Sequence, residues 1–83
     1  MSYYVYILKG KNGYLYTGIT WNLKKRLFEH NNGIRSSLPN SQKPFKIVFS
    51  EVFSSRLMAA KREKQLKGWR RSKKEKLIEV YTE

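Results

Sequence analysis

Tyr4-Val5-Tyr6-Ile7-Leu8, then Lys11-Asn12-Gly13, then Tyr14-Leu15-Tyr16-Thr17-Gly18-Ile19: the reading of this stretch decides the fold. The two outer runs are short, aromatic and β-branched, the composition that suits a pleated surface. Asn-Gly between such runs is a strong hairpin signal, because both residues tolerate positive φ. The stretch therefore reads as an antiparallel hairpin with strands over 3–9 and 14–19. Tyr4, Tyr6, Tyr14 and Tyr16 share parity within their strands, so they favour one face.

Downstream, Leu23 and Leu27 recur at helical spacing and Asn31-Asn32-Gly33 supplies a stop, which predicts a helix over 22–31. Residues 33–44 carry Gly33, two prolines and several serines and asparagines, the composition of a loop. Phe45-Lys46-Ile47-Val48-Phe49 with Val52-Phe53 makes a third strand reaching as far as residue 53. Ser54-Ser55 offers an N-cap for a helix over 56–68. Ser72-Lys73-Lys74-Glu75 fits a capping box that opens a last helix carrying Leu77, Ile78 and Tyr81. The order is ββαβαα. A helix separates strands two and three, so the expectation is an α+β fold, a three-stranded mainly antiparallel sheet flanked by helices. At 83 residues the chain has room for one domain, spanning 1–83.

Composition narrows the function. There is no Cys and one His, which excludes disulfide staples, thiolate chemistry and a multi-histidine zinc centre. No apolar run approaches the roughly 20 residues of a membrane span, and the N-terminus has no secretion signal. A cytoplasmic protein with no membrane partner is the expectation. Eighteen Lys and Arg face six carboxylates, for a net charge of +12. That balance points to a polyanion, nucleic acid first and DNA in particular. Ten of the basic residues fall between 56 and 76. Lys24 and Lys25 on the first helix, with Arg62, Lys67, Arg70, Arg71, Lys73 and Lys74, are the candidate phosphate contacts.

Between Glu51 and Glu75 the only carboxylate is Glu63. It reads either as an i,i+4 salt bridge to Lys67 or as a metal ligand on a phosphate-binding surface. On the first helix Arg26 and His30 lie four apart at the edge of the Leu23–Leu27 stripe. They read either as a polar pocket against the tyrosines or as a snorkelling Arg and a helix-capping His. On the second helix the angles put Met58, Leu66 and Trp69 on the buried side, with Ala59 beside them and Glu63 at its edge. Arg62 falls nearer the centre of that side, so it needs a partner or a place for its stem. Four phenols on one strand face are more often packing than chemistry, and a phenol is a poor base unless a cation favours the phenolate.

Taken in order, Tyr4-Val5-Tyr6, Tyr16-Thr17-Gly18, Leu23-x-x-Arg26-Leu27-x-x-His30 and Ala60-x-x-Glu63 resemble the motifs of the GIY-YIG nuclease superfamily. Arg-Glu-Lys-Gln-Leu-Lys-Gly-Trp at 62–69 is similar to the second helix of its small stand-alone bacterial branch, the UPF0213-type proteins. The resemblance implies a divalent-metal-dependent endonuclease. In it Glu63 would bind one Mg²⁺ (or Mn²⁺), Tyr16 would help deprotonate the attacking water, and Tyr6 would orient the network. Arg26 would stabilise phosphate charge and His30 would assist proton transfer or hold the network. The chain departs from the pattern at Tyr4, where the motif has Gly, and at Thr17, where it has Ile. It also has no Asn after residue 40, and it carries Gln42-Lys43 where an Arg-bearing segment is expected. With no separate recognition domain, preference for a DNA structure or a single strand is expected over sequence reading. The reading from another class is a catalytically weak or inactive module that binds DNA or RNA on the same fold.

Overall fold

A computed structural model of the chain describes residues 1–82. Strand β1 (Tyr3–Lys9) lies between β2 (Leu15–Thr20) and β3 (Lys46–Phe53), antiparallel to both. Helices α1 (Leu23–Asn31), α2 (Arg56–Lys67) and α3 (Arg71–Thr82) complete the expected ββαβαα, α+β order.

Both faces of the sheet are covered, and β1 records this in its side chains. Val5 and Ile7 pack with Val48, Phe49, Ala59 and Leu66, backed by Trp69, Leu77 and Ile78 at the ends of α2 and α3. Tyr6 and Leu8 turn the other way, onto Phe45, Leu23 and Leu27 of α1, and Leu38 of the following loop. Four successive residues of β1 are thus buried, which is why Tyr-Val-Tyr-Ile-Leu shows no polar alternation.

The hairpin turn is longer than the Asn-Gly signal suggests. Five residues, 10–14, connect the strands, with Gly10 N–H donating to the Tyr14 carbonyl at 2.7 Å. Only Gly13 of the pair takes a positive φ, +91°. The 33–44 loop folds back over this turn. Gln42 Oε1 accepts from the backbone N–H of Asn12 at 2.9 Å, and Lys11 N–H donates to the Gln42 carbonyl at 2.7 Å. Asn31 fastens the loop's far end through two bonds to the Phe45 backbone, at 2.6 and 3.1 Å.

Two local expectations on the later helices change. Met58 is 53% exposed; the buried line of α2 is Ala59 and Leu66, with Glu63 between them. Ser55 caps α2 by accepting from Met58 N–H, and that starting point turns Met58 outward. The capping box at Ser72 does not form. α3 already begins at Arg71, with the Arg70 carbonyl accepting from Lys73 and Lys74, and Glu75 pairs with Arg71 at 3.1 Å. No helix among the described residues is long and apolar enough to cross a membrane.

Thr17 shares the face of Leu15 and Ile19, under α2, and its Oγ1 is buried with no hydrogen-bond partner among the described residues. A buried hydroxyl without a partner carries a desolvation penalty of about 1–3 kcal/mol. Thr17→Val keeps the shape and removes the hydroxyl. It is expected to raise stability by about 1 kcal/mol in urea unfolding, and a loss of stability would show that Oγ1 is satisfied in solution.

Candidate active site

The site is built on a missing side chain. Gly18 lies opposite Tyr6 in the β1–β2 register. A Cβ there would stand 2.5 Å from the Tyr6 hydroxyl oxygen, 2.7 Å from its Cζ and 2.9 Å from Tyr16 Cε2. The Tyr6 ring therefore lies across the backbone of β2, and its hydroxyl meets His30 Nε2 at 3.1 Å. On the other side of the imidazole, Nδ1 meets Ser36 Oγ at 2.8 Å. Tyr16 closes the group, edge-on to His30 with ring centroids 5.2 Å apart and 6.3 Å from Tyr6.

His30 is 1% exposed, so it is a core residue and not a solvated helix cap. Burial, aided by the charge of Arg26, pushes its pKa down to about 4 against a smaller pull from Glu29. The imidazole is neutral at physiological pH. Burial also pushes the Tyr6 phenol up to about 12, with Tyr16 and Glu63 adding to the rise and Arg26 opposing it. Tyr6 thus keeps its proton. Among the described residues the Tyr6 hydroxyl has one hydrogen-bond partner, His30 Nε2, so the retained phenol proton is assigned to that bond. The imidazole proton then sits on Nδ1 and is donated to Ser36 Oγ, which also accepts from Leu38 N–H at 3.3 Å.

Arg26 is anchored from two further directions, to Glu29 Oε1 at 3.1 Å and to the Arg35 carbonyl at 3.2 Å. Glu63 is the carboxylate of α2 whose charge is felt at this group. It stands on the Ala59–Leu66 line, its side chain is 19% exposed, and its charge acts on Tyr6 across the edge strand. Lys67 Nζ lies 3.2 Å from Glu63 Oε2, so the salt-bridge reading of the sequence is realised. Among the described residues no three His, Asp or Glu cluster as a ready metal cage. One carboxylate at the rim of a basic surface still fits Mg²⁺, which takes most of its shell from water and phosphate oxygens. The Tyr16 hydroxyl makes no hydrogen bond among the described residues and is the free phenol of the site.

The candidate phosphate contacts divide. Arg62 donates to Glu51 at 2.9 Å and to Gln65 at 2.7 Å and lies over Trp69, which supplies the partner its position demanded. Arg71 holds the Gly13 carbonyl at 2.6 Å, so α3 clamps the hairpin turn. Lys73 sits 4.2 Å over the Trp69 ring, Lys25 lies 5.6 Å over Trp21, and Lys67 pairs with Glu63. Lys24, Arg70 and Lys74 have no ion pair among the described residues.

A buried Tyr–His pair, a free Tyr, an Arg and a Glu, carried by a three-stranded sheet with helices on both faces, are the residues that the GIY-YIG motifs single out. The description of the GIY-YIG catalytic domain matches residues 2–76. A UPF0213 protein of Staphylococcus saprophyticus is 41% identical over 93% of this chain and 94% of its own length. Another, from Clostridium perfringens, is 44% identical over 90% and 81%. The solution structure of a UPF0213 protein from Bacillus halodurans superposes with a TM-score of 0.62, at 35% identity over 96% of this chain and 85% of that one. A protein of E. faecalis gives 0.66, at 31% identity over 99% and 88%. The chain belongs to the GIY-YIG family, among its UPF0213 proteins.

Sequence reasoning missed Ser36, Arg35 and Trp21. The first two lie in the 33–44 loop, where no periodicity marks which side chain turns inward. Trp21 had a signal, a large aromatic at a strand-to-helix junction. Gly18→Ala tests the site's foundation. Overpacking is expected to cost about 1–3 kcal/mol in thermal or urea unfolding, because the atoms that must move belong to a buried ring. Stability within about 0.5 kcal/mol of wild type would mean that Tyr6 does not lie over Gly18.

Proposed function

We propose that this protein is a divalent-metal-dependent endonuclease that hydrolyses phosphodiester bonds of DNA, with a preference for structured or single-stranded substrates. One observation supports the reading: four of the five residues that the GIY-YIG motifs single out gather from three separate elements, and the charge of the fifth, Glu63, is felt at Tyr6. Tyr6 bonds His30, Tyr16 stacks on His30, and the charges of Arg26 and Glu63 both act on Tyr6.

The roles follow from the surroundings of each side chain. Tyr6 is buried and holds its proton, so it orients the network and is a poor base. Tyr16 has the uncommitted hydroxyl and would help deprotonate the attacking water. Arg26, fixed by Glu29 and the Arg35 carbonyl, presents its guanidinium to the non-bridging oxygens as charge develops there. His30, neutral and bonded on both nitrogens, holds Tyr6 in place. Glu63 would hold one Mg²⁺ or Mn²⁺, whose chemistry is to polarise the phosphate and acidify bound water. Lys67 shares that carboxylate and would move to phosphate as the ion binds. The surplus of twelve positive charges supplies affinity for the backbone.

The Glu63–Lys67 ion pair also favours a second reading, a module that binds nucleic acid without cutting it. The two separate on Glu63. Wild type is expected to cut plasmid, single-stranded or branched DNA with Mg²⁺ or Mn²⁺ and not with EDTA. Glu63→Gln should abolish cutting and leave binding intact, and Tyr16→Phe should lower the rate about tenfold or more, since a general base contributes roughly 10²–10⁴-fold. Binding without cutting by wild type would establish the second reading, and cutting by Glu63→Gln at the wild-type rate would remove the metal from Glu63.

A further inference from the structure

Beside Arg26 a cleft of about 200 Å³ opens between the end of β2 and the 33–44 loop, walled by Thr20, Trp21, Lys25, Arg26, Glu29 and Arg35. We propose that this cleft takes one unpaired nucleobase, stacked on Trp21, next to the phosphate at Arg26. The proposal rests on the nuclease reading above for the place of that phosphate and adds the pocket through which an unpaired base would be held.

Trp21 is 55% exposed, one of the few aromatic rings, with Phe28 and Tyr81, left largely open to solvent. Trp69 shows the contrast, half-buried at the end of α2 and covered by Arg62 and Lys73. Only Lys25 lies over Trp21, 5.6 Å from its centroid. The backbone that carries the ring is held in advance. Thr20 Oγ1 accepts from Asn22 N–H at 3.1 Å, and Asn22 Oδ1 caps α1 by accepting from Lys25 N–H at 3.1 Å. Both neighbours of Trp21 are therefore pinned, which fixes where the indole leaves the chain at the start of α1.

The opposite wall is strained. Arg35 has φ +52°, in the left-handed region that a long side chain rarely occupies. The Arg26 guanidinium, bonded to its carbonyl at 3.2 Å, holds it there and brings the Arg35 side chain to the cleft. Strain kept in place by a residue of the active centre is the pattern of a built site.

The lining chemistry selects the ligand. Three cations face one carboxylate, and that carboxylate is already paired with Arg26. A cation-lined cleft with one flat aromatic wall suits an anion that carries a π-face, which is what a nucleotide is. The volume is below the roughly 300–1,000 Å³ of sites for drug-sized ligands, so it admits a single ring system. In a duplex the base faces are hidden in the stack, and stacking on Trp21 requires an unpaired or extruded base.

The test uses the full chain with Trp69→Phe, which leaves Trp21 as the only indole, and Glu63→Gln, which prevents turnover. Indole fluorescence is followed while oligothymidylate is added, and then the same strand built of abasic units. The base-bearing strand is expected to quench Trp21. Trp21→Ala, followed by the anisotropy of a labelled strand, is expected to bind it about 5- to 100-fold more weakly. Affinity for the abasic strand should stay within about twofold, and Trp21→Phe should recover most of the loss. Equal quenching by both strands, or unchanged affinity in Trp21→Ala, overturns the proposal, as does loss of both affinities together. Cutting by wild type with no base-dependent quenching sinks this inference alone. Base-dependent quenching without cutting by wild type sinks the nuclease reading and leaves the pocket standing.

Discussion

The hydrogen bond from the Tyr6 phenol to His30 is the contact on which the site depends. It joins the central strand to α1 across the edge strand, and it is possible only because residue 18 has no side chain. The neighbouring residues of the candidate site are placed relative to it. Tyr16 packs against the far edge of the same imidazole, Arg26 sits one helical turn before His30, and Ser36 ties the loop to its other nitrogen. Burial keeps both partners of the contact neutral, the phenol pushed up and the imidazole pushed down.

The charge of the chain is arranged around this neutral centre. Glu29, Glu51, Glu63 and Glu75 each pair with an Arg or Lys, so nearly every described acid is engaged locally. Pairs exposed to this degree contribute little stability, with a median near 0–1 kcal/mol. Their effect is to position. Arg26 is steered toward Tyr6, Arg62 is drawn onto Trp69, and Arg71 is directed to the hairpin turn. The remaining cations leave a positive surface that attracts a polyanion and weakens with salt.

Much of this was legible in the sequence, for local reasons. Residues 4–19 announce a hairpin through composition and Asn-Gly, and the spacing of Leu23, Arg26, Leu27 and His30 defines one helical face. Ala60-x-x-Glu63 could be placed because α2 is a simple helix with a Ser cap. What stayed hidden depends on contacts distant in sequence. Arg62 on the apolar side signalled a partner, but only the fold identifies Glu51 on β3. Gln42, out of pattern in the loop, proves to be the clamp on the hairpin turn. The capping box at Ser72 failed because Arg71 competes for Glu75, and two overlapping local motifs cannot be ranked without the helix start. The Ser36 side chain and the Arg35 carbonyl meet His30 and Arg26 of α1 under constraints that no pattern in the loop records.

His30 is the only histidine, so its ring nitrogens can be read without ambiguity by long-range ¹⁵N–¹H correlation. The account predicts a neutral imidazole with its proton on Nδ1 at pH 7. The ring should gain a second proton only as pH falls toward about 4, well below the ordinary value near 6.5. A proton on Nε2, or an imidazolium already formed at pH 6, would contradict the Tyr6–His30 arrangement from which the site is built.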